Sequence, residues 1–139
     1  MKRIFYFLLL LLTISCGDKA ADPINLNTDG CDYCKMKIAD GKFGAELITA
    51  KGRIYKFDDM HCMVNYRKEN SAVQIKSFYI HDFNQNNVLI PAETAHYIKG
   101  GDINSPMHGN IIAVKTNNEA LVLAKKFNAN PISWKEIIN

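Results

Sequence analysis

Two stretches of the sequence share one order of hydrophobic patterns, namely strand, strand, helix and strand, and this repeat constrains the fold most strongly. In the first stretch, residues 45–50 and 53–57 are rich in β-branched and aromatic side chains, and a Lys-Gly pair suited to a tight hairpin turn joins them. Residues 58–69 begin with Asp58 and Asp59, which are candidates for the N-cap of a helix, and continue as an amphipathic helix pattern. Residues 74–80 then have the pattern of a third strand.

The second stretch repeats this order. Its three strand patterns lie at residues 95–99, 110–115 and 132–137. The helix between the last two begins at Thr116, and Glu119 three residues later gives the spacing of a capping box. The sequence therefore predicts an α+β protein of two small β-β-α-β units, at about residues 31–90 and 91–139, which are related by internal duplication and packed as one compact domain.

The N-terminus has the pattern of a lipoprotein leader. Lys2 and Arg3 precede an apolar run at residues 4–12 that is too short to span a bilayer. Ser15 and Cys16 follow it, as at a cleavage site where the cysteine is then lipidated. We therefore expect a signal peptide at residues 1–15, a lipid on Cys16 that anchors the protein to a membrane, and a location on the periplasmic side of the cell envelope.

The composition of the chain after the leader excludes one class of function. Residues 16–30 are polar and predict a flexible tether between the lipid and a domain at residues 31–139. The whole chain has 17 basic and 14 acidic side chains, and removal of the leader leaves 15 against 14. A nearly neutral chain without a basic patch is not expected to bind nucleic acid.

Sulfur is concentrated at the start of the domain. Cys31, Cys34 and Met36 fall within six residues. With Cys16 assigned to lipid, three thiols remain, and an odd number cannot all pair within the chain in an oxidising compartment. Thiolates together with a thioether favour Cu(I), whereas structural zinc sites use Cys and His. This cluster therefore predicts a soft-metal site.

Two further clusters offer ligands. His61 and Cys62 lie at the start of the first predicted helix, and Met107 and His108 lie in the long loop between the strands of the second unit. The sequence has no nucleophile elbow, no phosphate-binding glycine loop and no carboxylate pair of clear spacing. We expect a binding protein and not an enzyme.

The residues alone leave two alternatives open. Cys31, Cys34, His61 and Cys62 are a chemically sound tetrahedral zinc set, which would make the protein a structural zinc-binding lipoprotein module. Cys31 and Cys34 are also spaced as in a thiol-disulfide oxidoreductase. In that class the first cysteine caps a helix after a strand, whereas a polar segment precedes it here.

Residues 31–38, 57–63 and 105–107, taken in this order, resemble the NosL family of lipoprotein copper chaperones for nitrous oxide reductase. The resemblance covers most of the chain after Cys31. It implies paired β-β-α-β units and a role in denitrification, in which Cu(I) is delivered to the copper site of nitrous oxide reductase. It also implies work with an ABC-type copper-assembly complex in the membrane.

The resemblance also implies a ligand set. The C-x-M motif of the family falls on Cys34 and Met36, and its downstream loop methionine falls on Met107. Lys35 stands where the family often has glycine, which alters the backbone freedom of the loop. The accessory thiol and the candidates that would complete the metal shell are Cys31, His61, Cys62 and His108.

Overall fold

The computed structural model describes residues 20–139. The predicted signal peptide and the lipidation site Cys16 lie outside the described residues. The first unit contains β1 (Ala45–Thr49), β2 (Ile54–Phe57), α1 (Met60–Glu69), β3 (Ile75–His81) and β4 (Leu89–Pro91), followed by a short 3-10 turn. The second contains β5 (His96–Lys99), β6 (Ile111–Val114), α2 (Asn117–Lys126), β7 (Asn130–Ile132) and α3 (Trp134–Ile138).

The first unit forms an antiparallel sheet in the order β2-β1-β3-β4. The predicted hairpin is confirmed, with Ala45 opposite Phe57 and Ile48 opposite Ile54. Gly52 turns the chain at a φ of 81°, a left-handed value that glycine adopts without steric cost. The three-residue strand β4 was not predicted, and it adds a fourth strand to this sheet.

The second unit forms an antiparallel sheet in the order β6-β5-β7. In both units the first two strands form a hairpin, a helix follows, and the third strand returns to the free side of the first strand. Two antiparallel sheets with the same connections confirm the predicted α+β class of paired β-β-α-β units.

Both long helices begin at the predicted caps. The Asp59 carboxylate accepts a hydrogen bond from the backbone N–H of His61 at 2.9 Å. At α2, the Thr116 hydroxyl and the Glu119 side chain form the reciprocal bonds of a capping box. These bonds satisfy backbone N–H groups that have no partner inside the helix.

The prediction of one strand over residues 132–137 is wrong. Strand β7 ends at Ile132, and the chain turns at Ser133 into the short helix α3. Ser133 and Glu136 form a second capping box, and this local signal outweighs the apolar alternation that suggested a strand.

Part of the predicted tether packs on the domain. Ile24 is only 1% exposed, and Lys56 of β2 forms salt bridges with Asp22 and Asp29 at 2.8 Å each. The described part of residues 16–30 therefore differs from a free tether, because Ile24 joins the core and the two acids pair with Lys56.

The two sheets share a core. One buried cluster joins Leu47 and Ile80 of the first sheet to Tyr97 and Ala113 of the second. Trp134 lies between the units, with its ring centroid 5.3 Å from that of Phe78 and 6.0 Å from that of Tyr97. Within residues 20–139, no helix combines the length and apolar character needed to cross a bilayer.

Candidate metal centre

The segment from Cys31 to Met36 forms a closed loop on the edge of the first sheet. The backbone N–H of Cys31 donates to the carbonyl oxygen of Met36 at 2.7 Å, and that of Lys35 donates to the carbonyl oxygen of Cys31 at 3.0 Å. Asp32 ties the loop to β2, because its N–H donates to the carbonyl oxygen of Lys56 and its carboxylate accepts from the N–H of Lys56, both at 2.8 Å. Hydrogen bonds on both sides therefore fix the position of the two thiols.

Lys35 occupies a strained position in this loop. Its φ is 67°, in the left-handed region where a side chain other than that of glycine costs about 1–2 kcal/mol. The turn between Cys34 and Met36 requires this conformation. The hydrogen bonds that close the loop therefore have to offset this cost.

The start of α1 brings a third thiol to the loop. Cys62 lies in the first turn of the helix and is fully buried, and Asp58, just before the helix, is 3% exposed. The thiol of Cys34 contacts both carboxylate oxygens of Asp58 at 3.5 Å. Potential ligand atoms of Cys31, Cys34, Cys62 and Asp58 all lie within 4.8 Å of one another. The structure therefore assembles a cluster of three thiols and one carboxylate, which we call the thiol cluster.

The thiols of this cluster differ in how readily they ionise. A hydrogen bond from the Cys62 thiol, supported by backbone N–H groups, lowers the pKa of Cys31 to about 6, against the opposing effect of burial. The same hydrogen bond, together with burial, raises the pKa of Cys62. Burial, followed by the hydrogen bond with Cys31 and the charges of Cys31 and Asp58, raises the pKa of Cys34 to about 11, although a backbone hydrogen bond from Met36 opposes the shift. Cys31 is therefore the first thiolate available to a metal ion, and binding would release protons from the other two.

Met107 is held next to the start of α1 by the second acidic residue. The Asp59 carboxylate accepts from the Ser105 hydroxyl at 2.5 Å and from the Met107 N–H at 2.9 Å, in addition to capping the helix. Asp59 is 1% exposed, so these bonds satisfy a buried charge. Asp58 and Asp59 were both predicted as candidates for the N-cap. In the structure only Asp59 caps the helix, and Asp58 faces the thiols.

The other sequence-predicted ligands differ in their exposure and in their contacts. The Met36 side chain is 48% exposed, and Met107 is partly buried against the core cluster that contains Cys31 and Cys62. The exposed His61 ring meets the Asn65 amide, with 2.8 Å between Nε2 and Nδ2. His108 is exposed in the loop at a φ of 57°. The structure brings the three thiols together, and it does not place either histidine in the thiol cluster.

The geometry of the thiol cluster can be compared with the two alternative functions, a structural zinc module and a thiol-disulfide oxidoreductase. Three members of the predicted zinc set meet in the thiol cluster, with Asp58 in the place expected for His61. For thiol-disulfide exchange, the attacking thiolate has to be accessible, whereas Cys31, the thiol of lowered pKa, is only 1% exposed. Cys31 also precedes a turn and not a helix. The cluster has three soft thiols, and the loop that contains two of them also carries the Met36 thioether. This set of donors is best suited to a soft cation that accepts few ligands.

Comparisons with known proteins place the chain. A family model described as NosL matches residues 23–139. The crystal structure of the copper chaperone NosL from Shewanella denitrificans matches with a TM-score of 0.75 and 19% sequence identity, covering 86% of this chain and 96% of that chain. At this identity the structural match shows a shared fold. No curated protein sequence matches the chain.

Proposed function

Because the chain belongs to the NosL family, we propose that it is a Cu(I) carrier that delivers copper for the maturation of nitrous oxide reductase. It is a binding protein and not an enzyme. A lipid on Cys16 holds it to a membrane outside the cytoplasm, on the periplasmic side, where it works with an ABC-type copper-assembly complex.

The observation that carries this proposal is the position of the C-x-M motif beside the buried thiols. Cys34 belongs to the thiol cluster, while Met36, two residues on, reaches the solvent. We assign Cys34, Met36 and Met107 as the first ligands. The four residues proposed to complete the shell are Cys31, His61, Cys62 and His108. A site with the Met36 thioether at the surface suits transfer by ligand exchange, because a partner's ligand can replace the exposed one first.

An anaerobic Cu(I) titration with a competing chromogenic chelator tests the binding step. We expect Cu(I) to bind in preference to Zn(II). We expect Met36→Leu to weaken the binding of the last Cu(I) to be taken up by about tenfold or more, with a larger loss for Cys34→Ser. Met63→Leu is the matched control, because Met63 is buried in the core and the change conserves volume. Tight Zn(II) binding that Met36→Leu left unchanged would contradict the proposal and favour the zinc module.

The delivery step needs a separate measurement. When the gene for this protein is deleted in the source organism, we expect purified nitrous oxide reductase to contain less copper per molecule. The natural chain should restore the copper content, whereas Cys34→Ser should not. A reductase with full copper content in the cells that lack the protein would show that the carrier serves another target.

A further inference from the structure

The sulfur ligands of this protein lie in two layers. Cys31 and Cys62 are 1% and 0% exposed, whereas the Met36 thioether lies at the surface. Cys34 is half-buried and belongs to both layers. On the basis of the function proposed above, we propose that Cys31, Cys34 and Cys62 form an inner Cu(I) position, distinct from an outer position at Cys34, Met36 and Met107, and that the two positions share the sulfur of Cys34.

The spacing of the three thiols fits one ion. A metal–sulfur bond of about 2.3 Å places three sulfurs in a trigonal plane about 4 Å apart. The Sγ atoms of Cys31, Cys34 and Cys62 lie within 4.8 Å of one another without metal. Small side-chain rotations are therefore enough to close the site, and no backbone segment has to move.

The thiols are available for this role. Cys31, Cys34 and Cys62 are free cysteines in the structure. The Asp58 carboxylate within the cluster contributes negative charge, which favours a cation there. A carboxylate is a poor direct ligand for Cu(I), so Asp58 acts by its charge and by its contact with the Cys34 thiol.

The two positions differ in what they permit. An ion among buried thiols is out of reach of a partner's ligands, whereas an ion bound by Met36 is open to exchange at the surface. Movement between them replaces two thiolate bonds of copper, to Cys31 and Cys62, by two thioether bonds, while the bond to Cys34 is kept. Copper stays Cu(I) throughout, the Cys62 thiolate takes up a proton from water, and Cys31 stays a thiolate. The inner position thereby retains copper and the outer one presents it.

X-ray absorption on selenomethionine-labelled protein separates the two positions, because selenium in the copper shell reports thioether ligation. In the natural chain, we expect the first half-equivalent of Cu(I) to have a sulfur shell with little selenium. Selenium should appear as loading rises to two equivalents. In Cys62→Ala, we expect selenium from the first addition, one bound Cu(I) instead of two, and affinity lower by about tenfold or more.

Each outcome is decisive. Selenium at full amplitude from the first addition to the natural chain, with one bound Cu(I) and unchanged affinity in Cys62→Ala, would overturn the inner position and leave the proposed carrier intact. No selenium at any loading in the natural chain or in Cys62→Ala would instead overturn the thioether site. Cys31→Ala removes the other buried thiol and should give the same result as Cys62→Ala. Circular dichroism confirms that each variant is folded before copper is added.

Discussion

We expect acid to weaken this fold through one buried histidine, His81. Both ring nitrogens are engaged: Nδ1 accepts from the backbone N–H of Gly44 at 3.1 Å, and Nε2 lies 3.1 Å from Oδ1 of Asn87. The Asn87 amide in turn donates to the carbonyl oxygen of Ile24 at 3.0 Å. Because Nδ1 is an acceptor, the ring is neutral with its proton on Nε2. A second proton would face the N–H of Gly44 inside the core.

The size of the effect follows from the pKa of His81. Burial lowers that pKa from its ordinary value of 6.5 to about 4, although the hydrogen bond to Asn87 opposes the shift. The unfolded chain therefore takes up the proton at higher pH than the folded chain does. The stabilisation is present above pH 6.5 and is lost as the pH falls toward 4. At about 1.4 kcal/mol per pKa unit, we expect the free energy of unfolding to fall by about 2 kcal/mol between pH 6 and pH 4.5.

Urea denaturation of the copper-free protein at a series of pH values measures this loss. The comparison is with His81→Gln, which keeps an amide for hydrogen bonding and does not titrate in this range. We expect His81→Gln to be less stable at pH 7 and to lose about 2 kcal/mol less than the natural chain between pH 6 and pH 4.5. His96→Gln, at an exposed strand position, is the control and should keep the natural slope. If His81→Gln lost stability as steeply as the natural chain, the reasoning about His81 would be refuted.

Five other substitutions have expected outcomes that urea denaturation at pH 7 can check. Asp59→Ala removes a helix cap and two bonds to the Met107 loop, so it should cost at least about 2 kcal/mol, whereas Thr116→Ala removes the α2 capping box alone and should cost about 1 kcal/mol. Equal losses would show that the loop bonds contribute nothing. Gly101→Ala would place its Cβ 2.1 Å from a backbone oxygen, whereas a Cβ at Gly52 has nothing within 4 Å. Gly101→Ala should therefore lower the free energy of unfolding more than Gly52→Ala does, and similar losses would count against the clash. Lys35→Gly relieves a left-handed φ and should raise stability by up to about 1 kcal/mol, and a loss would contradict the strain.

Local chemistry made most of the fold predictable. The hairpin of β1 and β2 and the capped start of α2 are specified by neighbouring residues, and both were confirmed. The region after Ile132 was harder, because apolar residues at 132, 134 and 137 fit a strand as well as a helix. The Ser133 and Glu136 pair was the signal that favours a helix there. Strand β4 has three residues and ends in proline, so its existence depends on pairing with β3.

The candidate site was predictable as a set of motifs but not as an arrangement. Spacing within the sequence places Cys31 near Cys34, whereas the contact of both with Cys62 depends on how α1 packs against the loop. Two adjacent acids before a helix offer the same capping chemistry, and only the folded chain shows that Asp59 caps while Asp58 faces the Cys34 thiol. Tertiary packing also decides which of the candidate ligands are exposed, and no local sequence pattern encodes that exposure.

Trp134 is the only tryptophan in the chain, and its place between Phe78 and Tyr97 makes the joint between the two units optically distinct. The emission of this indole reports the separation of the sheets, while far-ultraviolet dichroism follows the strands and helices within them. If the two units separate before either one unfolds, the fluorescence changes at a lower denaturant concentration than the dichroism does. The molecule carries its own spectroscopic label for the order in which its two units come apart.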